Sequence, residues 1–243
     1  MNRFRIVVIG WNVGNYIERC LRSIIDQDFK NWTLCAVLDP SEDNTFEVSG
    51  KIKDSRIKLI KNNSRKYSLS NIISSIKEQA PDDEDIIATV DGDDWLANND
   101  SLSIVDRCYR EDHNLLATHG SWVSYPNPNV GTNNFPYTEE DFRIGVRKVA
   151  WKASHLRTYK SKVWKRIKDS DFRDEHGNYF ISSGDIAIML PILEMATLNR
   201  IKFIPELIYI YNQETPYSDI KTKLKEQLYI ADYIRKMKPY EPI

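Results

Sequence analysis

Cysteine is scarce, with only Cys20, Cys35 and Cys108 in 243 residues. They are scattered and none forms a Cys-x-x-Cys pair. That argues against a disulfide framework or a thiolate zinc site and points to a reducing compartment. Glycine is scarce too, at nine residues, and Gly10 and Gly14 do not complete the Gly-x-Gly-x-x-Gly turn of a dinucleotide-binding fold. A Gly-x-x-x-x-Gly-Lys-Ser/Thr loop is missing, which excludes a P-loop NTPase. No run of about 18 apolar residues exists to cross a bilayer, and the apolar stretch near the N-terminus stops at Asn12, too soon for a signal peptide. Neither sign of charge dominates: 34 Lys+Arg face 35 Asp+Glu, for a net charge of -1. A general nucleic-acid binder would need a basic surplus to neutralise phosphates. With 41% hydrophobic and 28% charged residues, the chain reads as an ordinary soluble protein able to bury a full core. The expected location is cytoplasmic, compatible with peripheral contact at a membrane.

What is present is a strand–helix rhythm. Arg5 to Gly10 is a β-branched run read as a buried strand. Ile17, Cys20, Leu21, Ile24 and Ile25 fall at helical spacing, and Asn15 with Glu18 three residues on resembles a capping box. Trp32 to Leu38 predicts a second strand, Phe46 to Lys53 a short helix and Arg56 to Lys61 a third strand. Leu69, Ile72, Ile73 and Ile76 mark another helix, and Asp85 to Val90 a fourth strand. Such alternation implies a mainly parallel sheet with helices on both faces, an α/β, Rossmann-like class. Ligands on these sheets bind at the carboxyl ends of the strands, where Asp39 and the Asp91 cluster fall.

The second half is less regular. Leu102 to Cys108 reads as helix, Leu115 to Tyr125 as strand, Pro126 to Pro136 as a flexible loop and Ser161 to Ile167 as a short helix. Asp185 to Ala196 predicts a longer helix, with Pro191 warning of a kink. Ile201 to Ile204 and Leu207 to Tyr211 read as two strands around Pro205-Glu206. Ile220, Leu224, Leu228, Ala231 and Ile234 outline a terminal amphipathic helix. Without repeats or a clear linker, the expectation is one domain over 1–243: a ligand-binding half (1–96), a second half (97–215) and the terminal helix (216–243).

The sharpest chemical feature is Asp91-Gly92-Asp93-Asp94, directly after an apolar strand. Carboxylates this crowded repel one another, so a hard divalent cation, Mn²⁺ or Mg²⁺, is their natural partner. A solvated acidic turn is the plainer alternative. Gly92 would let the backbone approach a ligand. Asp39 in Asp-Pro-Ser also fits a turn, and Asp185 fits a helix N-cap.

In order along the chain, these residues resemble family-2 glycosyltransferases of the GT-A fold. Trp11-Asn12 stands where the family has Tyr-Asn, and Cys20-Leu21-Arg22-Ser23-Ile24 with Gln27 follows its first helix. Leu38-Asp39-Pro40-Ser41-Glu42-Asp43 replaces its acidic Gly-Ser turn. Asn63 to Asn71 matches its Asn-rich lead, Val90 to Trp95 its DXD-type motif, and His155-Leu156-Arg157-Thr158, Gly184-Asp185 and Tyr209-Ile210-Tyr211-Asn212 continue the series. The resemblance implies an inverting, metal-dependent transfer of sugar from a nucleotide-sugar donor, a UDP-sugar, to a saccharide or glycan acceptor in polysaccharide biosynthesis. It implies donor contacts from Asn12, Asp39, Asn71, Asp91 and Arg157. Asp91, Asp93 and His155 would hold the metal, Asp94 would support them, and Asp185 would be the general base. Leu38 and Pro40 depart from the family turn.

Other readings stay open. His155 lies in a basic patch with Arg157 and Lys160 and would equally suit a structural place, as would His113, His119 and His176. Trp122, Trp151, Tyr179 and Tyr217 offer rings for a sugar or for packing. The rivals are a phosphohydrolase with Asp91 as nucleophile and Asp93 as acid, and a non-catalytic nucleotide-sugar or glycan-binding module.

Overall fold

A computed structural model describes residues 2–243, except for the side chains of Asp219 and Ile220. Ile220, expected on the apolar face of the last helix, therefore lies outside the described side chains. In the first half β1 (Phe4–Gly10) leads to α1 (Ile17–Ile25), β2 (Trp32–Leu38) to α2 (Thr45–Lys51), and β3 (Ile57–Lys61) to α3 (Tyr67–Gln79), ending in β4 (Ile86–Asp91). The four strands are parallel, in the order β3-β2-β1-β4. Strands covered on both faces are apolar along their length. Side chains alternate, so Phe4, Ile6 and Val8 join α1 in one core while Val7 and Ile9 join α3 in the other.

The stripe read from α1 is buried: Ile17, Cys20, Leu21 and Ile24. Its predicted capping box does not form. The helix is capped at Tyr16 without a side-chain hydrogen bond, and Glu18 pairs with Arg22. The loop ahead is committed sideways instead. Asn12 N donates to Ser41 Oγ, Val13 N to Thr45 Oγ1 and Gly14 N to Asp43 Oδ2, while Asn12 Oδ1 accepts from Glu42 N. The loops after β1 and β2 are thereby latched together.

The rest of the chain forms β5 (Trp95–Leu96), α4 (Ser101–Glu111), β6 (Ala117–Tyr125), α5 (Glu139–Ile144), β7 (Arg157–Lys160), α6 (Ser161–Trp164), α7 (Gly184–Ala196), β8 (Ile201–Asn212), α8 (Asp219–Thr222) and α9 (Leu224–Lys236). The full sheet order is β3-β2-β1-β4-β7-β6-β8-β5. β7 runs antiparallel to both β4 and β6, β8 pairs parallel with β6, and β5 is antiparallel to β8. Neither β5 nor β7 was expected from the sequence.

Several expectations are corrected. The two strands predicted around Pro205 are one, β8. Its pairing with β6 shifts register between His119 and Trp122, and such an irregularity absorbs a proline that cannot donate to the ladder. Pro191 sits inside α7 without ending it. The segment 126–136 folds back on β6: Gly131 N donates to Trp122 O at 3.0 Å and Trp122 Nε1 to Asn133 Oδ1 at 2.9 Å. A Cβ at Gly131 would lie 2.2 Å from Trp122 Cε2, so glycine alone permits this stacking. In α9 Leu224 and Leu228 are exposed, and the core face is Ile230, Tyr233, Ile234 and Met237. The helix restarts after Lys223, which rotates the buried stripe away from the one read across the break.

Candidate active site

β1 and β4 end side by side, and their junction shapes the acidic turn. Gly92 N donates to Ile9 O at 2.8 Å. A Cβ at Gly92 would stand 2.7 Å from that oxygen, so its missing side chain admits β1, not the ligand that the sequence suggested. The turn then carries Asp91, Asp93 and Asp94 into a cavity of about 270 Å³ at the carboxyl rim of the sheet. Asp39, Asn71, His155, Arg157 and Asp185 line the same cavity.

Asp94 is 1% exposed. Its Oδ1 accepts from Asn212 N and its Oδ2 from the Tyr209 hydroxyl, each at 2.8 Å. Burial, then the charges of Asp93 and Asp91, push its carboxyl well above the usual range. His155 arrives through the direction of β7. Because Arg157 pairs with Thr89 in an antiparallel ladder, the residues just before β7 lie beside the last residues of β4, Asp91 among them. One ligand atom each of Asp91, Asp94 and His155 falls within 4.8 Å of the others. The His155 ring stacks on Tyr209, with centroids 4.5 Å apart, and its buried Nδ1 has no hydrogen-bond partner. Burial, then the neighbouring Arg157, hold its pKa well below the ordinary value, so the imidazole is neutral and a lone pair is free for a ligand. Two carboxylates and a neutral imidazole, with a buried nitrogen lacking a partner, fit Mn²⁺ or Mg²⁺. The sequence named Asp91, Asp93 and His155 as the metal set; the group whose ligand atoms lie this close together is Asp91, Asp94 and His155, and Asp93 lines the same cavity.

On the opposite wall Asp39, also 1% exposed, serves the backbone. Its Oδ1 accepts from Asn62 Nδ2 and Lys66 N, and its Oδ2 from Tyr67 N, at 2.8–3.0 Å. Asn62 Nδ2 also reaches Asn71 Oδ1 at 2.8 Å. These bonds fix the entry of α3. Asn12 is not among the residues lining the cavity, because its amide holds the loop after β2.

Asp185 comes from α7. The N-cap is Ser183, so the acid stands inside the first turn and not at the cap. Its Oδ1 accepts from Ile186 N at 2.8 Å, and its Oδ2 lies 3.4 Å from Arg157 Nη1. Its side chain is about one-third exposed, at 32%, and faces the cavity.

The rim holds residues whose neighbourhood no spacing announced. The Arg65 guanidinium lies 3.4 Å from the Trp11 ring centroid and 4.8 Å from that of Tyr67, and Tyr217 packs edge-on against Trp11. A second cavity of about 1050 Å³ shares Arg65, Tyr67, Asn71 and Ile181 with the first. Tyr179, Phe180, Tyr229 and Tyr233 line it. Of the other aromatic candidates, Trp122 is packed under Gly131 and Trp151 against the α7 core. His119 is buried beside Tyr137 and Phe203. Among the described residues no helix is long and apolar enough to cross a membrane.

Against known proteins, a family model described as glycosyl transferase family 2 matches residues 5–168. The chain is similar to the chondroitin synthase of Pasteurella multocida, 22% identical over 230 residues, covering 93% of this chain and 22% of the relative. Among solved structures, S. aureus TarS 1–349 in complex with UDP-GlcNAc superimposes with a TM-score of 0.67 at 20% identity, covering 88% of this chain and 59% of that one. The mannosyltransferase PcManGT of Pyrobaculum calidifontis, in complex with GDP-Man and Mn²⁺, gives 0.62 at 18%, covering 98% and 66%. The chain thus spans less than two thirds of each of these relatives. The structural likeness establishes the fold as GT-A.

Proposed function

The chain belongs to glycosyl transferase family 2, and from that premise we propose that it transfers a sugar from a UDP-sugar to a saccharide hydroxyl, with inversion at the anomeric carbon. The observation that carries the reading is the convergence of Asp91, Asp94, His155, Arg157 and Asp185 on one cavity. Relatives named for UDP-GlcNAc, GDP-Man and Mn²⁺ complexes support the donor class and the metal.

In this reading the carboxylates of the acidic turn, Asp91, Asp93 and Asp94, together with His155 would hold Mn²⁺ or Mg²⁺, which would supply Lewis-acid neutralisation of charge on the diphosphate. Arg157 steadies Asp185 and turns its remaining N–H groups to the diphosphate, a task suited to a planar guanidinium. Trp11 and Arg65 flank the nucleotide base, and Asp39 with Asn71 firms the wall beneath it. Asp185 accepts the acceptor hydroxyl's proton as the anomeric carbon passes through an oxocarbenium-like state. The acceptor saccharide enters along the second cavity, where tyrosine faces suit sugar rings. A single domain, with donor groups from 1–96 and His155, Arg157 and Asp185 from the later half, fits this division of labour.

A panel of nucleotide sugars screened by thermal shift, with and without Mn²⁺, tests the reading, since a bound ligand raises apparent stability by mass action. At least one UDP-sugar should raise the melting temperature only when metal is present. If no nucleotide sugar does so, the proposal fails.

A further inference from the structure

Helix α9 is held on one side and bare on the other. Ile230, Tyr233, Ile234 and Met237 pack into the core that includes α7. Arg235 Nη1 donates to Arg147 O at 2.6 Å and to Val149 O at 3.1 Å, so the helix cannot roll about its axis without breaking these bonds. Its outer face still carries apolar side chains: Leu224 is 48% exposed, Leu228 61% and Tyr229 69%. Residues four apart share a helix face, so Leu224 and Leu228 stand one turn apart with Tyr229 beside them. A single exposed leucine is ordinary on a protein surface. A strip of them, fixed outward, marks a contact.

Charge indicates what that contact is with. Between Lys221 and Lys238 stand six basic residues and two acids, Glu226 and Asp232, in a chain whose net charge is -1. Of the two acids, Asp232 is already paired with Lys236 at 2.6 Å. Lys225 lies one turn before Leu228 and Tyr229, and Lys221 and Lys236 are exposed as it is. A second copy docking through the same face would set one basic surplus against another. An anionic bilayer answers both features at once, since its headgroups take the lysines and its acyl boundary takes the leucines. At 13 residues α9 is too short to span a bilayer and has the form of a helix that lies along one.

We propose that the outer face of α9 docks the protein on an anionic lipid surface, with Leu224 and Leu228 entering the headgroup boundary. Lys225 and Tyr229 also line the second cavity, so docking brings one wall of that cavity to the membrane. The proposal is independent of the reaction assigned above, and its test needs neither donor nor metal.

The test is co-sedimentation of the purified chain with vesicles of phosphatidylcholine alone and of an equal mixture of phosphatidylcholine and phosphatidylglycerol. The chain should bind the mixed vesicles and release them as salt is raised. Lys225→Gln should weaken that binding by about five-fold, and Leu224→Gln with Leu228→Gln by roughly ten-fold. Both leucines are exposed, so thermal unfolding of the double variant should match the unaltered chain. Orientation is read with an environment-sensitive fluorophore on Leu228→Cys, whose emission should shift to the blue on mixed vesicles. The same label on Arg107→Cys should not respond, because α4 packs against the opposite face of the sheet. Equal binding to both kinds of vesicle, or undiminished binding by the leucine variant, overturns the proposal. So does a chain that ignores vesicles but self-associates in sedimentation velocity until the leucines are replaced, which would make the strip an interface between copies.

Discussion

Asp39 and Asp94 occupy equivalent places and do opposite work. Each lies just beyond a parallel strand, on the same rim, at 1% exposure. Asp39 receives hydrogen bonds from Asn62, Lys66 and Tyr67 and knits a loop to a helix. Asp94 receives two, has two acids for neighbours, and is driven toward its protonated form. A buried carboxylate surrounded by N–H donors is a structural joint. One surrounded by other carboxylates is a vacancy in the charge balance, and only a proton or a cation can fill it.

Substitutions can break or sharpen this contrast. The largest effect belongs to a third acid, at a helix terminus and not a strand end: Asp185→Asn should lower turnover by about 10²–10⁴-fold while calorimetry shows donor affinity retained. Unchanged turnover would remove Asp185 from the chemistry. Next, Asp94→Asn should weaken Mn²⁺-dependent UDP binding by about 10–100-fold, with little loss of folding stability, because the one accepted bond its amide gives up is offset by relief from the charges of Asp93 and Asp91. Asp39→Asn should do the reverse. Its amide cannot accept every bond the carboxylate does, so urea unfolding should report a loss of about 1–3 kcal/mol, with metal affinity kept. If the two variants behave alike, the distinction between joint and vacancy is false.

The pH dependence sharpens it further. A carboxyl raised in the folded state binds its proton more tightly there than when unfolded. Its contribution is complete below the unfolded carboxylate range and is lost as pH rises through the folded value. The metal-free chain should therefore lose stability on going from about pH 4 toward neutrality relative to Asp94→Asn, and Mn²⁺ should erase that difference in chemical denaturation curves. The smallest effect concerns the second cavity. Tyr229, 69% exposed, is free to be removed without harm to the core, and Tyr229→Ala should raise the acceptor KM by about five-fold, the worth of one ring contact.

How much of this was legible follows from which interactions are local. β1 to β4 and the helices between them are strand-length and helix-length apolar patterns, and parallel order follows from their alternation. Asp39 and Asp91 could be placed on one rim because both follow strands in a parallel sheet. The second half resisted for a physical reason. β7 is four residues long, β5 two, and each exists only through pairing with a distant strand. The place of Asp94 beside Asp91 and His155 was hidden for the same reason, since the Tyr209 and Asn212 bonds that orient Asp94 belong to β8. Asn12 has a part that no local spacing could show: it latches two loops, a contact between residues 30 positions apart.

The antiparallel entry of β7 has a consequence for how such a protein can diversify. His155 meets the acidic turn through strand pairing, which is indifferent to the number of residues in between. The stretch from 126 to 154, between β6 and β7, is constrained by packing instead: Tyr137, Val146 and Ala153 are buried in the core, and Arg147 pairs with Glu194 of α7 at 2.6 Å. Variation there is therefore tolerated at exposed positions such as Val130, Phe135 and Ile144, which leave the pairing that places His155 untouched.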